Sequence, residues 1–284
     1  MEEERRKKYL ICVDSDGCVF DNMGIKWKEC FIPNLIRYFE LQPIAGCVRE
    51  EAERINLYSS TRGINRYAGL PLLFQALEKR SEVRRSHFNL PDITALADWT
   101  AHTPQLSMES LKKEYERNKD VILERAILWS CESNKSIQEM IFGIPPFPWV
   151  RESFEKLKEK ADLAVLSSAN RSAIDREWSE HHLLPFTDYV CSQEMGSKKD
   201  CIRQLLEKGY DREYVLMVGD APGDYEAAKA NRAAFYPIVP QKETTSWHNL
   251  YKEAADLFLE GKYGGREEQY LNVFRKALNI TGEI

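Results

Sequence analysis

Two groups of carboxylates stand where an apolar run stops. In "KYLICVDSDGCVFDN" (residues 8–22) the run Tyr9 to Val13 leads straight into Asp14, Asp16 and Gly17, with Asp21 close behind. In "VLMVGDAPGDYEAA" Asp220 follows its run directly and Asp224 comes four residues later, at the start of a helical pattern. Short apolar runs of this kind read as buried strands. Carboxylates at their ends have three uses open to them: to attack as a nucleophile, to move a proton, or to hold an oxygen-preferring cation. Taken alone, "DSDG" also reads as an Asp-rich turn and "GDAPGD" as a turn with a helix N-cap. Taken together, each after an apolar strand, they point to a site, because ligands of open α/β sheets bind beyond the carboxyl ends of the strands. Two such ends converge only if both strands are central neighbours.

The rest of the chain supplies the elements that must do this positioning. Further strand-length runs occur at "LAVLSS" (163–168), "DYVCS" (188–192), "YVLMVGD" (214–220) and "AAFYPIV" (233–239). Between and after them lie helical patterns: "WVRESFEKLKEKA", "RSAIDREWSEHHLL", "SKKDCIRQLLEKG", "DYEAAKANR" and "SWHNLYKEAADLFLEG". Short runs ending in Asp, Ser or Gly suit parallel strands covered on both faces, and strand followed by helix, repeated, means a doubly wound, Rossmann-like α/β core. Residues 23–145 have a different texture. "FIPNLIRYFEL", "CVREEAERINLY", "LPLLFQALEKR", "DITALADWTAH" and "MESLKKEYERNKDVILERAILW" each carry apolar residues at helical spacing, with no convincing strand. This is an all-helical insertion, closed by "FGIPPFPW" (142–149), whose three prolines make a stiff connector. The expected organisation is a core of residues 1–22 and 146–284 with an inserted domain at 23–145. No internal repeat or low-complexity tract is visible.

Bulk properties narrow the classes. At 284 residues, with 43% hydrophobic and 30% charged residues, the chain can bury a substantial core. A net charge of −5 gives no general attraction for nucleic acid or an anionic membrane surface. The start, "MEEERRKK", is followed by no apolar run of secretory length, and no run elsewhere approaches a membrane span. Seven scattered cysteines without a C-x-x-C pair fit free thiols in a reducing cytoplasm.

With these motifs in this order, the chain resembles the haloacid dehalogenase superfamily of phosphohydrolases and phosphotransferases. The resemblance covers the α/β portion fully and rests on four motifs. "VDSDGCVFD" looks like the first, with Asp14 as nucleophile and Asp16 as general acid and base. "LAVLSSAN" is similar to the second, which places Ser167 on the phosphoryl group, with the backbone N–H of Ser168 beside it. "GSKKDCI" resembles the third, a lysine before a helix; the spacing to Ile202 favours Lys198 over Lys199 without deciding between them. "VGDAPGD" resembles the fourth, with Asp220 as metal ligand and Asp224 in support. Cys18 stands where threonine or valine is commoner. The resemblance further implies Mg²⁺, held by Asp14, the backbone carbonyl of Asp16, and Asp220, and a helical cap formed by the insertion.

The chemistry explains the residue types. A carboxylate attacking phosphorus forms an aspartyl phosphate and splits one hard displacement into two easier ones. An alkoxide leaving group needs a proton and the water of the second step must lose one, so an acid two residues on can serve both. A halide leaves without a proton, and the dehalogenating branch usually lacks this residue; Asp16 therefore favours phosphoryl transfer. Positive charge from Mg²⁺ and lysine offsets the repulsion between carboxylate and phosphate, and Ser167 and Ser168 can donate to the equatorial oxygens. The leading expectation is a Mg²⁺-dependent phosphatase of a small phosphorylated metabolite. A phosphotransferase or sugar phosphomutase shares the same intermediate. A catalytically silent binding protein is disfavoured, since every reactive position is filled.

Other residues carry less. Arg62 and Arg66 in "STRGINRYAG" could reach a second anionic group of the substrate, against the plainer reading of a solvated helix face or local ion pairs. His181 and His182 read as a helix end rather than a metal site, Trp27 and Trp99 as core, and nothing beside Cys18 lowers its pKa. An extensive cap suits an enclosable small phosphoester and makes a folded protein or nucleic acid a poor candidate. The sequence leaves the oligomeric state open.

Overall fold

A computed structural model describes residues 7–282; most of the "MEEERRKK" segment lies outside them. Five strands, β1 (Tyr9–Val13), β2 (Ala161–Leu166), β3 (Tyr189–Cys191), β4 (Val215–Gly219) and β5 (Ala234–Pro237), form one sheet in the order β3-β2-β1-β4-β5. Every pairing is parallel. The chain steps outward from β1 through β2 to β3, then crosses back to place β4 on the other side of β1. The reversal between β1 and β4 is the topological switch point of such a sheet, where a crevice opens at the carboxyl ends of the strands.

The strands read as continuous apolar runs because both faces are covered. Along β1, Ile11 and Val13 join one core with Phe154, Trp178 and Trp247, while Leu10 and Cys12 join the other with Ile202, Ala228 and Phe274. The period of two along the pleat divides the side chains in this way. Helices Val150–Lys158, Arg171–Glu180 and Glu243–Asn249, the last prolonged to Leu259, contribute to the first face. Helices Lys198–Leu206, Pro222–Asn231 and Glu267–Ala277 contribute to the second. The fold is thus a doubly wound α/β core with a helical insertion.

The chain divides into two compact units, Met1–Met23 with Gly143–Ile284, and Gly24–Phe142. The second unit is helical among its described residues, with principal helices Ala45–Leu57, Gly69–Lys79, Thr94–His102, Met108–Asn118 and Val121–Met140. Trp129, Phe39 and Phe74 are buried in it, and Phe31, Tyr67 and Phe39 surround the Trp129 ring at centroid distances of 5.9, 6.2 and 6.3 Å. Trp27 and Trp99 are buried as core residues. The stretch from Met108 to Trp129 is not one helix. Lys119 adopts a left-handed conformation (φ 55°), and Asp120 then caps the next helix by accepting from Ile122 N at 2.9 Å. The helix at Ser81–Arg85 and the last one, Glu267–Ala277, are absent from the patterns read above. No helix of the described residues is long and apolar enough to cross a membrane.

Candidate active site

The ladder between β1 and β4 runs one residue past the named strand, with Asp14 N donating to Val218 O at 3.0 Å, so Asp14 is held by backbone pairing. Beyond it the chain turns tightly. Gly17 takes φ 81°, Val19 N and Phe20 N both donate to Ser15 O, and Gly17 N donates to Phe20 O. Glycine adopts this left-handed geometry without strain. Two core tryptophans pin the loop: Trp178 Nε1 donates to Ser15 Oγ at 3.0 Å, and Trp247 Nε1 to Cys18 O at 2.8 Å. Asp16 remains partly exposed, and Asn22 Nδ2 donates to its Oδ1 at 2.5 Å.

The second acidic group comes from the end of β4. Asp224, on the first turn of the Pro222–Asn231 helix, reaches back so that its Oδ2 accepts from Asp220 N at 3.1 Å and Ala221 N at 3.0 Å. A side chain at position 219 would collide with Asp224, so Gly219 makes this approach possible. Lys198 opens the Lys198–Leu206 helix, whose cap is Ser197 Oγ accepting from Asp200 N. Its Nζ lies 2.7 Å from Asp14 Oδ1 and 2.5 Å from Asp224 Oδ1. Lys199, one residue on, is exposed, and its carbonyl accepts from Asn231 Nδ2.

Asp14, Asp220 and Asp224 are buried, and each offers a carboxylate oxygen within 4.8 Å of the others. Among the described residues, Lys198 is the cation seen to pair with these carboxylates, through Asp14 and Asp224. Burial pushes the Asp14 carboxyl well above its ordinary range; Lys198 opposes the shift, and Asp224 and Asp220 add to it. Asp224 is pushed up for the same reasons, burial first. Burial works against the Lys198 charge, but Asp14 and Asp224 outweigh it and hold the ammonium protonated. This buried, all-oxygen donor set fits a hard divalent cation such as Mg²⁺.

Ser167 follows β2 directly. Val13 is level with Val165 across the β1–β2 pair, which sets Ser167 one residue beyond the level of Asp14. Its N–H donates to Cys191 O at 3.0 Å and its Oγ accepts from Ala169 N at 3.1 Å. The hydroxyl proton therefore points elsewhere. Ser168 is exposed. Cys18 is buried with its thiol 3.7 Å from Val218 O, and burial first, then Asp220 and Asp14, push its pKa up, so it is no thiolate. His181 closes the Arg171–Glu180 helix and its carbonyl accepts from Arg151 Nη2.

The helical unit holds Arg62 and Arg66 in a turn rather than on a helix face. Arg62 is buried and its Nη1 donates to Leu57 O at 2.7 Å, so it does not lie on a solvated surface. Arg66 donates to Asn134 Oδ1 at 2.6 Å and Ser130 Oγ at 3.4 Å, with its guanidinium 4.6 Å from the Phe31 ring centroid. These partners carry no charge, and burial lowers the arginine's pKa. A surface cavity of about 420 Å³ in the same unit is lined by Glu51, Arg54, Thr61 and Arg80 among others. Within it Glu51 pairs with both Arg54 and Arg80. Sequence reasoning missed Ser15, Asn22, Trp178 and Gly219. Only Gly219, inside "VGD", carried a local signal.

Comparisons with known proteins agree with this architecture. Residues 94–236, just over half of the chain, match the family model for haloacid dehalogenase-like hydrolases. The matched span holds β2, the Lys198 helix and the Asp220–Asp224 turn, and starts after Asp14. Among solved structures, a putative phosphoglycolate phosphatase from Lactobacillus delbrueckii subsp. bulgaricus is 14% identical with a TM-score of 0.50, over 81% of this chain and 85% of that one. The putative HAD-hydrolase YfnB from Bacillus subtilis, bound to magnesium, is 11% identical with a TM-score of 0.44, over 81% and 88%. A putative beta-phosphoglucomutase from Thermotoga maritima is 16% identical with a TM-score of 0.40, over 81% and 84%. At 14% identity the likeness to the first of these, with its TM-score of 0.50, is one of fold. No curated protein matches the chain. The doubly wound sheet, the acids at its switch point and the family match lead to one assignment: the chain belongs to the haloacid dehalogenase-like hydrolases.

Proposed function

We propose that the protein is a Mg²⁺-dependent phosphatase of a small phosphorylated metabolite, acting through an aspartyl phosphate on Asp14. The observation that carries this reading is the buried Asp14–Lys198–Asp224 chain beside Asp220, at the ends of β1 and β4. Asp14, Asp220 and the Asp16 carbonyl would hold the cation, with Asp224 in support; when bound, it supplies the positive charge that keeps these carboxylates ionised and lets a phosphate dianion approach.

The chain's own groups account for the remaining chemistry. Asp14 attacks phosphorus and an acyl phosphate forms as the ester P–O bond breaks. Asp16 gives its proton to the departing alkoxide. It then takes one from the water that attacks the acyl phosphate, releasing inorganic phosphate and restoring Asp14. Lys198 neutralises charge on the transferring group, and the Ser167 hydroxyl, accepting from Ala169 N, has its proton to donate to an equatorial oxygen, beside the Ser168 N–H.

The helical unit Gly24–Phe142 takes the role of the family's cap and selects the substrate. Within it Arg66 is the better candidate for a second anionic group, because its partners are neutral, whereas Arg62 is committed to a backbone carbonyl. The test is a panel of phosphorylated metabolites scored for phosphate release with Mg²⁺ present. Release from one or a few members supports the reading. Isomerised sugar phosphate without free phosphate would instead identify a phosphomutase, and no turnover of any member or of an aryl phosphate would overturn both.

A further inference from the structure

The loop that carries Asp14 and Asp16 contains a side chain that the chemistry above does not use. Asn22 lies six residues after Asp16, at the end of the first segment of the α/β unit, and is only 1% exposed. A buried amide at a loop position is costly unless its polar atoms are employed. One is: Nδ2 donates to Asp16 Oδ1 at 2.5 Å. The other, Oδ1, has no hydrogen-bond partner among the described residues. The side chain thus keeps its contact with Asp16 while its other polar atom stays unpaired among the described residues.

The surrounding backbone brings the two residues together. Gly17 starts a tight turn, Val19 and Phe20 bond back to Ser15, and Phe147 N donates to Val19 O, with Phe20 also bridged to Pro146. The loop is therefore fixed at its base by Trp178 and Trp247 and along its return by the 146–147 segment. Asn22 enters from that fixed return. Asp16, by contrast, is partly exposed, and the Asn22 contact ties its carboxyl to the fixed part of the loop.

We infer that Asn22 is a positioning residue: its buried amide holds the Asp16 carboxyl in the orientation from which it exchanges a proton with the leaving group and with water. This rests on the role proposed for Asp16. General acid–base groups contribute only when within hydrogen-bond reach of the proton they move, and small misplacements are expensive. Asn22 touches no reacting atom. Its loss should leave substrate binding and the attack of Asp14 intact while slowing every step that needs Asp16.

An aryl phosphate with a good leaving group separates these steps, because its phenolate departs without a proton whereas hydrolysis of the aspartyl phosphate still needs a base. In rapid-mixing experiments on the full chain with Mg²⁺ and 4-nitrophenyl phosphate, Asn22→Leu and Asn22→Ala should keep the rate of the nitrophenolate burst and the substrate concentration that half-saturates it. Their steady-state rate, divided by the burst amplitude, should fall at least about tenfold, within the range of lost acid–base catalysis. Asn22→Ser, which can still donate, should recover part of the loss. Dividing by burst amplitude counts only folded sites, so partial unfolding of one variant does not affect the comparison. Burst and steady-state rates falling together, or neither changing in either variant, would overturn the inference. Wild-type and Asp14→Asn controls separate this from failure of the underlying reading, which would show as a burst that survives without Asp14.

Discussion

The two compact units treat their buried charged groups in opposite ways. In the helical unit such groups are dispersed and locally matched. Glu51 lies between Arg54 and Arg80, and Arg62 binds the Leu57 carbonyl. In the α/β unit, Asp14, Asp220 and Asp224 are brought together at one end of the sheet, where burial and mutual repulsion work against their charges and, among the described residues, Lys198 opposes them. A fold selected for stability alone would disperse those acids, since like charges in a buried site are costly. The contrast supports the proposal that the reactive groups lie in the α/β unit.

The contrast is broken most severely at Asp14. Asp14→Asn keeps the side-chain volume but removes the attacking charge, so turnover should vanish while the melting temperature of the metal-free protein stays the same or rises. Steady-state assays at saturating Mg²⁺ and a thermal melt in chelator check both halves. Next in size, Lys198→Met should cost about 10²–10³ in kcat, the scale of one lost charge-stabilising group. Lys199→Met should cost nothing measurable, and equal losses in the two variants would return the choice between the lysines to open.

The cation provides a third test. Chelation should abolish activity and Mg²⁺ restore it. Asp220→Ala should raise the Mg²⁺ concentration for half-maximal rate at least about tenfold, since even supporting residues around a metal cost about that much. Mg²⁺ at 100 times its Kd should also stabilise the wild type by about 2.7 kcal/mol, visible as a raised melting temperature, and do much less for Asp220→Ala. Full activity in excess chelator after dialysis would contradict the metal's role.

The smallest effects are expected in the helical unit, where the two arginines should separate. Arg62→Met leaves the buried Leu57 carbonyl short of a donor and should lower stability by about 1–3 kcal/mol, with the same kcat/KM ratio between a true substrate and an aryl phosphate. Arg66→Ala should lower kcat/KM by about 1.5–3 kcal/mol for a substrate with a second anionic group and leave the aryl phosphate almost unchanged. A selective loss from Arg62→Met in place of Arg66→Ala would reverse the assignment.

Much of the α/β unit can be read from the chain because its signals are local. A strand buried on both faces is an unbroken apolar run, β1 spans Tyr9–Val13, and the acids follow their strands directly. Gly219 is recognisable beside Asp220. Features that depend on tertiary geometry are not visible. The contacts of Trp178 with Ser15 and of Trp247 with Cys18 span 163 and 229 residues, and no local pattern announces them. The arginine pair looks like part of a helix because four-residue spacing suits one, yet the turn around Gly63 (φ 77°) breaks the helix and turns Arg62 inward. The Glu267–Ala277 helix has a usable signal in Leu271, Phe274 and Leu278, whose spacing places them on one face. The break at Lys119 is marked by the Asn-Lys-Asp sequence, whose Asp is a natural N-cap.

The central claim, that Asp14 carries the phosphoryl group, is tested most directly by labelling. Enzyme mixed with Mg²⁺ and a ³²P-labelled substrate, quenched in acid within one turnover and digested, should show hydroxylamine-sensitive label on the peptide containing Asp14. The label should be absent from Asp14→Asn and should decay in wild type at the rate of phosphate release. Phosphate release with no labelled peptide at any quench time, or with label on a peptide lacking Asp14, would contradict the account.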